Sequence, residues 1–478
     1  MDVRTLPRIA GNFQTQISFP LSQLPSGAER IETSLDDTII TPINYSFNFS
    51  YAREFNRGLS VEASYVGRFA RNLLAQRDIM HFNNLRDRVS GQTFYEAMQA
   101  LIDLRYAGVP ITSVGTIPFF ENVLPGIAGT FNILGQPQTL TATQAAYRRI
   151  ALPSVGGQNI TDYTALQSNA LWDDRPRSIF DNTFVHPQYA ALNTWSTFAF
   201  SNYNSAQLSV RQRLSNSVVF DFNYTLAHAL DDASGLQNTG NFGTASLIFN
   251  PLNPASNYAS SDFDIRHNIT ANWIVGLPFG RGKKFLNSAG KVTNGILGGW
   301  DLTGILRWNS GLPTQVPLAA GGTAPARPFA FQRWATNWQI SSGMVSVRPV
   351  QTSPGDFNGE PNLFADPTAA FQSYRDPKPG EGGDRNTLRQ PGYFSLDAGL
   401  NKTFRMPWEG HALTFRWEVF NVTNTQRFTG FNSTGLTTDP FIFGGEPPPG
   451  FGNLTATQAP LGETKAGRLM QFGLRYVF

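Results

Sequence analysis

The stretch Arg468–Phe478, RLMQFGLRYVF, alternates between apolar side chains and other side chains with a period of two. One face carries Met470, Phe472, Leu474, Tyr476 and Phe478. The opposite face carries Gln471, Gly473 and Arg475, with Leu469 and Val477 as apolar exceptions. Successive side chains of a β-strand point to opposite faces, so this period predicts a strand with one apolar side.

The same alternation recurs along the whole chain. It is clear at residues 43–51, 59–65, 206–210, 218–226, 269–277, 300–308, 394–400 and 413–419. A weaker instance lies at residues 15–19. Together these segments predict roughly ten strands of about ten residues, which is the length that a tilted strand needs to cross a bilayer.

Short and long connections alternate between these predicted strands. The short ones are 54–58, 215–216, 278–299 and 405–410, and the long ones are 20–42, 68–202, 228–266, 309–392 and 422–467. A soluble sandwich or propeller also has alternating strands, but it does not place all its long loops at one end. Outer-membrane barrels do, with short periplasmic turns and long extracellular loops. We therefore predict an all-β fold, an antiparallel transmembrane β-barrel with long extracellular loops.

The composition agrees with strands that have one polar face in contact with water. Charged residues make up 15% of the chain, against about 25% in ordinary globular proteins, and aromatic residues make up 13%. We expect the apolar faces to meet lipid and the polar faces to line a watery interior. Trp273, Trp300, Trp308, Trp417 and Tyr476 are candidate members of interfacial aromatic girdles.

Several classes of protein are disfavoured. The net charge is only +3 and the basic residues are scattered, which argues against a nucleic-acid partner. There is no cysteine, which excludes disulfides and thiolate metal sites. There is no run of eighteen apolar residues, which excludes a transmembrane helix.

Two of the long loops are predicted to be large surface features. The loop at about 68–202 is too long to lack structure. Its stretch TFYEAMQALIDLRYAGVP has a capping-box spacing, Thr93 and Glu96, and predicts a short helix at about 93–107. Residues 178–200 are a candidate for an additional hairpin. The loop at 309–392 is rich in Gly, Pro and Ala.

Few residues are candidates for chemistry. The cluster SDFDIRHN (Asp262, Asp264, Arg266, His267) fits either a metal or acid–base group or, as we favour, a salt-bridged rim at a strand mouth. Two acidic pairs fit either calcium binding or, as we favour, solvated loop charge: Asp173–Asp174 and Asp231–Asp232. The basic GRGKK turn, residues 280–284, lacks the spacing of a P-loop. With five histidines at no metal-ligand spacing and no nucleophile motif, we expect no enzyme activity, no cofactor and no metal.

Six stretches resemble one family, the TonB-dependent receptors, and within it the Oar-like barrels. They are INYSFNFSYAREFNRGLSVEASYVGRFARNLL, SNYNSAQLSVRQRLSNSVVFDFNYTLAHALDD, DFDIRHNITANWIVGLPFGRGKKF, LGGWDLTGILRWNSGLPTQV, FSLDAGLNKTFRM and LTFRWEVFNVTNTQRF, spread from about residue 40 to residue 478. In that family a plug domain blocks the lumen, extracellular loops capture a scarce ligand, and an energised inner-membrane complex pulls on the plug.

The resemblance also implies parts that have no candidate here, namely a signal peptide, a TonB box and a plug. The opening MDVRTLPRIAGNF lacks a signal-peptide profile, which fits either an intracellular protein or a missing N-terminal part. We therefore expect the whole of 1–478 to be the C-terminal part of a receptor barrel. It would supply about 10–12 strands of a wall that has about 22 in such transporters.

Several partners follow from this interpretation. We expect outer-membrane lipid, the barrel assembly machinery, and, through the preceding part of the receptor, the plug and the TonB complex. A terminal strand that ends in Phe is typical of the barrel assembly signal, here Phe472, Leu474, Tyr476 and Phe478. The ligand is unknown, with an oligosaccharide as one candidate, because Tyr95, Trp334 and Trp338 fit either sugar stacking or ordinary packing.

The predicted location is the outer membrane of a Gram-negative bacterium, and the predicted function is energised uptake. Two alternatives stay open at this point. One is an Oar-like adhesion or surface-scaffold protein whose large loops bind partners. The other, which we favour less, is a soluble β-rich glycan-binding domain.

Overall fold

The computed structural model describes residues 30–56, 58–78, 84, 86–151, 189–214, 218–234, 247–248, 252–314, 339–340, 361–375, 378, 385–431, 446–457 and 467–478. The strands within these ranges are β1 (Arg30–Leu35), β2 (Ile43–Phe55), β3 (Leu59–Asp78), β4 (Gly129–Ile133), β5 (Gln136–Leu140), β6 (Tyr189–Leu214), β7 (Val218–Asp231), β8 (Leu247–Ile248), β9 (Ala259–Ser260), β10 (His267–Gly276), β11 (Trp300–Asn309), β12 (Pro313–Thr314), β13 (Gln339–Ile340), β14 (Tyr374–Arg375), β15 (Leu388–Arg389), β16 (Tyr393–Arg405), β17 (Ala412–Phe420), β18 (Phe428–Phe431), β19 (Leu454–Thr457) and β20 (Leu469–Val477).

The α-helices within the described ranges are few and short. They are α1 (Phe94–Tyr106), α2 (Pro118–Val123), α3 (Ala142–Ala151), α4 (Lys291–Leu297) and α5 (Pro367–Gln372). In the part of the chain that the structure describes, no helix combines the length and the apolar character that a membrane span requires.

One large antiparallel sheet dominates the structure. Nine long strands follow one another in the order β2-β3-β6-β7-β10-β11-β16-β17-β20, and every neighbouring pair on this path is antiparallel. Three short strands bring the total to twelve: β1 pairs with β6 and β8 with β3, both in parallel, and β9 pairs with β7 in antiparallel. The predicted all-β antiparallel architecture is therefore confirmed.

The described strands lie where the alternating pattern predicts them, but two of them are longer than expected. The alternation breaks after Gly67, and the predicted loop began at residue 68. The structure shows a register shift between Ala70 and Leu73, and Asn72 has a positive φ of 57°. This is a β-bulge, and the strand continues to Asp78.

Because β6 also begins early, at Tyr189, the connection between β3 and β6 runs over 79–188 and not over 68–202. The additional hairpin predicted at 178–200 is wrong for its described part, because residues from Tyr189 onward belong to the single strand β6. The loop predicted at 309–392 matches the connection 310–392 between β11 and β16. The weak strand predicted at 15–19 lies outside the described residues.

The sheet buries almost no large apolar side chain. Where the burial of the nine long strands is described, the buried apolar residues are all alanines, namely Ala75, Ala199, Ala227, Ala229 and Ala271. Aromatic side chains on the same strands are exposed, as in Phe49 and Phe472, which are each 70% exposed. A soluble barrel would bury these faces, so the large apolar surface requires a non-aqueous neighbour.

Neighbouring strands pack aromatic rings over glycines at two places. The ring of Trp273 on β10 covers Gly304 on β11, where an added Cβ would lie 2.1 Å from Trp273 Cζ2. Phe47 covers Gly67 in the same way, with an added Cβ 2.3 Å from Phe47 Cζ. These glycines let large rings lie flat along the outside of the wall.

The described sheet is an open wall. Its first and last strands, β2 and β20, are exposed along their whole length and are not paired with each other among the described residues. Open strand edges present unpaired N–H and C=O groups, which a closed barrel eliminates. The partial barrel itself stays a prediction.

Candidate functional site

The long loops meet the sheet at one end, and the most polar buried contacts of the described chain lie there. At this end β7 ends at Asp231 and β10 begins at His267, and these two strands are hydrogen-bonded neighbours. We call this cluster the loop rim. It consists of His228, Asp231, Asp232, Ser234, Asp262, Asp264, Arg385 and Arg389.

Arg385 ties the loop before β16 to the end of β7. Its Nη2 donates to Asp231 Oδ1 at 2.7 Å and also to Ser234 Oγ, and it lies 3.4 Å from Asp262 Oδ1. Its Nη1 donates to the carbonyl oxygens of Asp231 at 2.9 Å and of Asn257 at 3.1 Å. The side chains of Arg385 and Asp231 are only 8% and 3% exposed, so this charge pair is buried and heavily hydrogen-bonded.

Arg389 makes the equivalent connection to the start of β10. It forms an ion pair with Asp264 and donates to the carbonyl oxygens of Asp264 at 2.8 Å and Gly311 at 3.2 Å. Asp264 is 1% exposed, and its Oδ1 accepts the backbone N–H of Ala229 at 2.7 Å. Its Oδ2 lies 3.3 Å from His228 Nδ1. One arginine therefore connects the starts of β10 and β16 and the end of β11.

Asp232 is the least satisfied carboxylate of the loop rim. Its Oδ1 accepts the backbone N–H of Phe200 at 3.0 Å, whereas its buried Oδ2 has no hydrogen-bond partner among the described residues. Burial of this side chain, which is 1% exposed, raises its pKa from the ordinary 3.8 to about 6. Asp232 thus exchanges a proton in a mildly acidic range.

These contacts define the chemistry that the loop rim can perform. Asp231 and Asp264 are each paired with an arginine, which leaves little free negative charge for a cation, and no group of three or more potential ligands fits a metal within the described ranges. The contacts around Asp262 and Asp264 match the predicted salt-bridged rim. Among the described residues, the contact made by Arg266 is through its carbonyl oxygen, which accepts Ala227 N–H.

Two other predictions about these residues need correction. Asp231 and Asp232 are not solvated loop charge, because they are 2% and 1% exposed. His267 lies apart from the ion pairs, and its Nδ1 is 2.9 Å from the hydroxyl of Tyr224. The pair Asp173–Asp174 lies outside the described residues.

The loop between β3 and β6 contains a small helical unit with its own core. The predicted helix is confirmed as α1: Thr93 Oγ1 accepts Glu96 N–H at 3.3 Å, and Glu96 Oε2 accepts Thr93 N–H at 2.7 Å. We call the unit the helical loop cluster. Its buried core is Phe94, Tyr95, Ala97, Met98, Leu101, Ile102, Val114, Ile117, Phe119, Phe120, Leu124, Ala142, Ala146, Tyr147 and Ile150.

Polar contacts fix the three helices of this unit. Thr143 donates its hydroxyl to Glu121 Oε1 at 2.7 Å and accepts Ile117 N–H at 2.8 Å, which joins α3 to α2. Tyr147 donates to Val109 O at 2.7 Å. Tyr95 is 8% exposed and burial raises its pKa, so this ring packs in the core and is not a sugar platform. The other two candidate platforms, Trp334 and Trp338, lie outside the described residues.

A second loop core lies between the segments before β16 and after β17. Its members are Leu363, Phe364, Ala370, Phe371, Tyr374, Leu388, Phe428, Phe451 and Leu454. Beside it, Arg427 is 1% exposed and donates its Nε to Phe394 O at 2.6 Å. The two long loops are thus packed against each other and bonded to the start of β16.

The candidate assembly residues lie on the edge strand β20. Phe472, Leu474 and Tyr476 pair in register with Trp417, Phe415 and Leu413 of β17. All four candidates are exposed, from 47% at Tyr476 to 89% at Phe478. The assembly role itself stays a prediction.

Arg385 and Arg389 are the important residues that the sequence analysis missed. They occur as isolated basic residues in the stretch GGDRNTLRQPGY, which has no motif. Their partners lie more than a hundred residues earlier, so only the strand pairing that brings the starts of β10 and β16 together reveals the contact.

The comparison with known families gives a direct result. The outer membrane beta barrel domain family matches residues 4–471. The chain belongs to this family. The barrel therefore lies in the outer membrane of a Gram-negative bacterium, and its exposed apolar faces have lipid as their neighbour. No curated protein matches the chain. The outer-membrane assignment overturns the alternative of a soluble β-rich glycan-binding domain.

Proposed function

We propose that this barrel is the pore wall and ligand-capturing surface of a TonB-dependent, Oar-like transporter. The six sequence stretches that resemble that family support this function. In such a transporter the loops at one end select a ligand, and a plug controlled by the TonB complex admits it.

The observation that carries this proposal is the folded and anchored state of the long loops. The helical loop cluster has its own core, the second loop core joins two further loops, and the loop rim ties the loop before β16 to the wall through Arg385 and Arg389. A surface that selects a ligand needs such preorganised loops, because ordering them on binding would weaken affinity. A plain passive pore has no need for them.

Nutrient-dependent growth of the source bacterium tests the proposal. Deletion of the gene and deletion of the TonB component should abolish growth on the same scarce nutrient, with oligosaccharides as the first class to screen. A copy of the gene should restore growth only when TonB is present. Uptake that persists without TonB would contradict energised transport.

A second candidate, adhesion or surface scaffolding, is favoured by one specific observation. The helical loop cluster is a compact unit that exposes apolar side chains, including Leu134 at 93% exposure and Val89 at 83% exposure. Exposed apolar side chains of this kind suit contact with a macromolecule. If the deletion strain loses surface attachment or intercellular contact while all nutrient uptake is intact, this second function replaces the first.

A further inference from the structure

The connection between β10 and β11, residues 277–299, differs from the other short turns in its charge. It contains four basic residues, Arg281, Lys283, Lys284 and Lys291, and no acidic residue. It also exposes several large apolar side chains. These are Phe279, Phe285, Leu286, Val292, Ile296 and Leu297, with exposures from 40% at Phe279 to 76% at Val292. We call this segment the basic turn.

The basic turn is held against the apolar face of the wall. Lys402 follows Leu400 by two residues in β16 and therefore lies on the same face. Its ammonium group donates to the carbonyl oxygens of Gly295 and Ile296 near the end of α4. Trp300 Nε1 donates to Ile296 O at 2.8 Å. The Lys402 ammonium also lies 5.3 Å from the ring centroid of Trp300. Helix α4 therefore sits at the margin of the surface that faces lipid.

Internal contacts give the basic turn a defined shape. Phe279 and Phe285 pack with ring centroids 5.6 Å apart, and Phe285 N–H donates to Pro278 O at 2.9 Å. Asn294 Oδ1 accepts Arg281 N–H at 2.7 Å, which connects the start of the segment to α4. The cations and the apolar side chains are thus presented together on one small platform.

We propose that the basic turn is a docking surface for anionic phospholipid in the membrane leaflet at the short-turn end of the barrel. Its apolar side chains lie at the boundary between headgroups and acyl chains, and its four cations contact lipid phosphates. Helices that lie in a membrane interface combine an apolar face with Lys and Arg in this way. Short turns of outer-membrane barrels face the periplasm, so the phospholipid belongs to that leaflet.

Charge complementarity favours lipid over other occupants. Two copies of the chain that met through this segment would bring eight like charges together, which is unfavourable. Free phosphate would satisfy the cations but would leave Val292 and Ile296 in water. A phospholipid leaflet satisfies both halves of the surface. The inference is independent of transport, because it requires only a barrel in a membrane.

The test uses the absence of native cysteine, which allows single labels without background. The full chain with Val292→Cys carries an environment-sensitive fluorophore and is inserted into phosphatidylglycerol-containing vesicles. Val89→Cys, on an exposed loop residue at the opposite end, is the matched control. We expect the label at residue 292 to show blue-shifted emission and severalfold less quenching by acrylamide, a neutral quencher that is insensitive to the charge of the lipid, than the control.

Two further arms identify the occupant. Protection should fall when phosphatidylcholine replaces phosphatidylglycerol, and when Arg281, Lys283, Lys284 and Lys291 are all changed to Gln. Heat-modifiable migration verifies that each variant is folded. If the fourfold variant does not fold, the change of lipid composition decides the question with the native cations in place.

Four results would overturn the proposal. One is quenching at residue 292 equal to that at the control. Another is protection that is insensitive to anionic lipid, which would indicate apolar contact alone. A third is protection that disappears when the protein is diluted with lipid, which would indicate a second copy. The last is protection restored by inorganic phosphate in phosphatidylcholine vesicles, which would indicate a free anion.

Discussion

In the nine-strand sheet, Phe49, Phe472 and similar side chains lie exposed along the outside, whereas in the helical loop cluster Phe94, Phe119 and Phe120 are at most 2% exposed. The same residue type is therefore exposed in one region and buried in the other. Lipid covers the apolar face of the sheet, whereas the described apolar side chains of the helical loop cluster are buried against one another. The difference shows that the sheet is adapted to lipid and the helical loop cluster to water.

Charged side chains also differ between the loops and the sheet. In the loop rim, charged side chains are buried and paired because they join loops that must stay folded in water. On the apolar face of the strands, at the short-turn end, the buried ammonium group of Lys402 donates to backbone carbonyl oxygens of α4. Each region therefore predicts its own response to substitution.

The largest effect is expected from breaking the buried pair in the loop rim. Arg385→Ala leaves Asp231 buried without its partner, which costs about 3–5 kcal/mol for pairs of this kind. Hydrogen exchange in the loop before β16 and at the end of β7 should accelerate strongly. Arg468→Ala removes an exposed arginine and is the control, with no change expected. Unchanged exchange in Arg385→Ala would show that the loops are not anchored there.

Truncation in the helical loop cluster should be nearly as severe but confined to that unit. Leu101→Ala removes a side chain that is 0% exposed, and comparable changes cost about 2–5 kcal/mol. Limited proteolysis within residues 86–151 should become much faster while the heat-modifiable migration of the barrel is retained. Val89→Ala, at an 83% exposed position, should change neither. Loss of the barrel band would mean that the two regions do not fold independently.

An arginine introduced on either face of one strand tests which face meets lipid. Leu208 lies on the apolar face of β6 and Ser209 on the polar face. Leu208→Arg should lower the free energy of unfolding in vesicles by about 2–4 kcal/mol, the cost of arginine facing lipid near the bilayer midplane. Ser209→Arg loses one hydrogen bond to Asn223, at 2.7 Å, which is worth about 1 kcal/mol. The reverse order in urea unfolding would invert the assignment of faces.

Asp232 predicts a pH dependence at the boundary between the two regions. Its pKa is raised from 3.8 to about 6, so the folded state binds an additional proton between these values. Stability is therefore higher at low pH and falls by about 2–3 kcal/mol as pH rises from 3.8 to about 6, above which it no longer changes through this group. Asp232→Asn should abolish that decrease in loop stability, measured by hydrogen exchange around Phe200. A variant that keeps the decrease would remove Asp232 as its cause.

The strands could be predicted from the sequence because their period of two reflects a wall with lipid on one side and water on the other. The β3 boundary was wrong because a bulge at Asn72 interrupts the period without ending the strand. Helix α1 was predictable because its capping box is local. A salt-bridged rim at Asp262 and Asp264 was predicted from their clustering, but its arginines were not. Arg385 and Arg389 carry no local signal and reach their carboxylates only through strand pairing.

The accessibility of Phe222 and Asn223 tests most directly whether the apolar faces of the strands meet lipid. These adjacent residues lie on opposite faces of β7. Each is replaced by a single cysteine and spin-labelled in vesicles, and collisions with lipid-soluble oxygen and with a water-soluble nickel chelate are compared. If the apolar face of β7 meets lipid, oxygen should reach residue 222 more readily and the nickel chelate should reach residue 223 more readily. The opposite result, or a label at residue 222 that neither reagent reaches, would contradict a lipid-facing apolar surface.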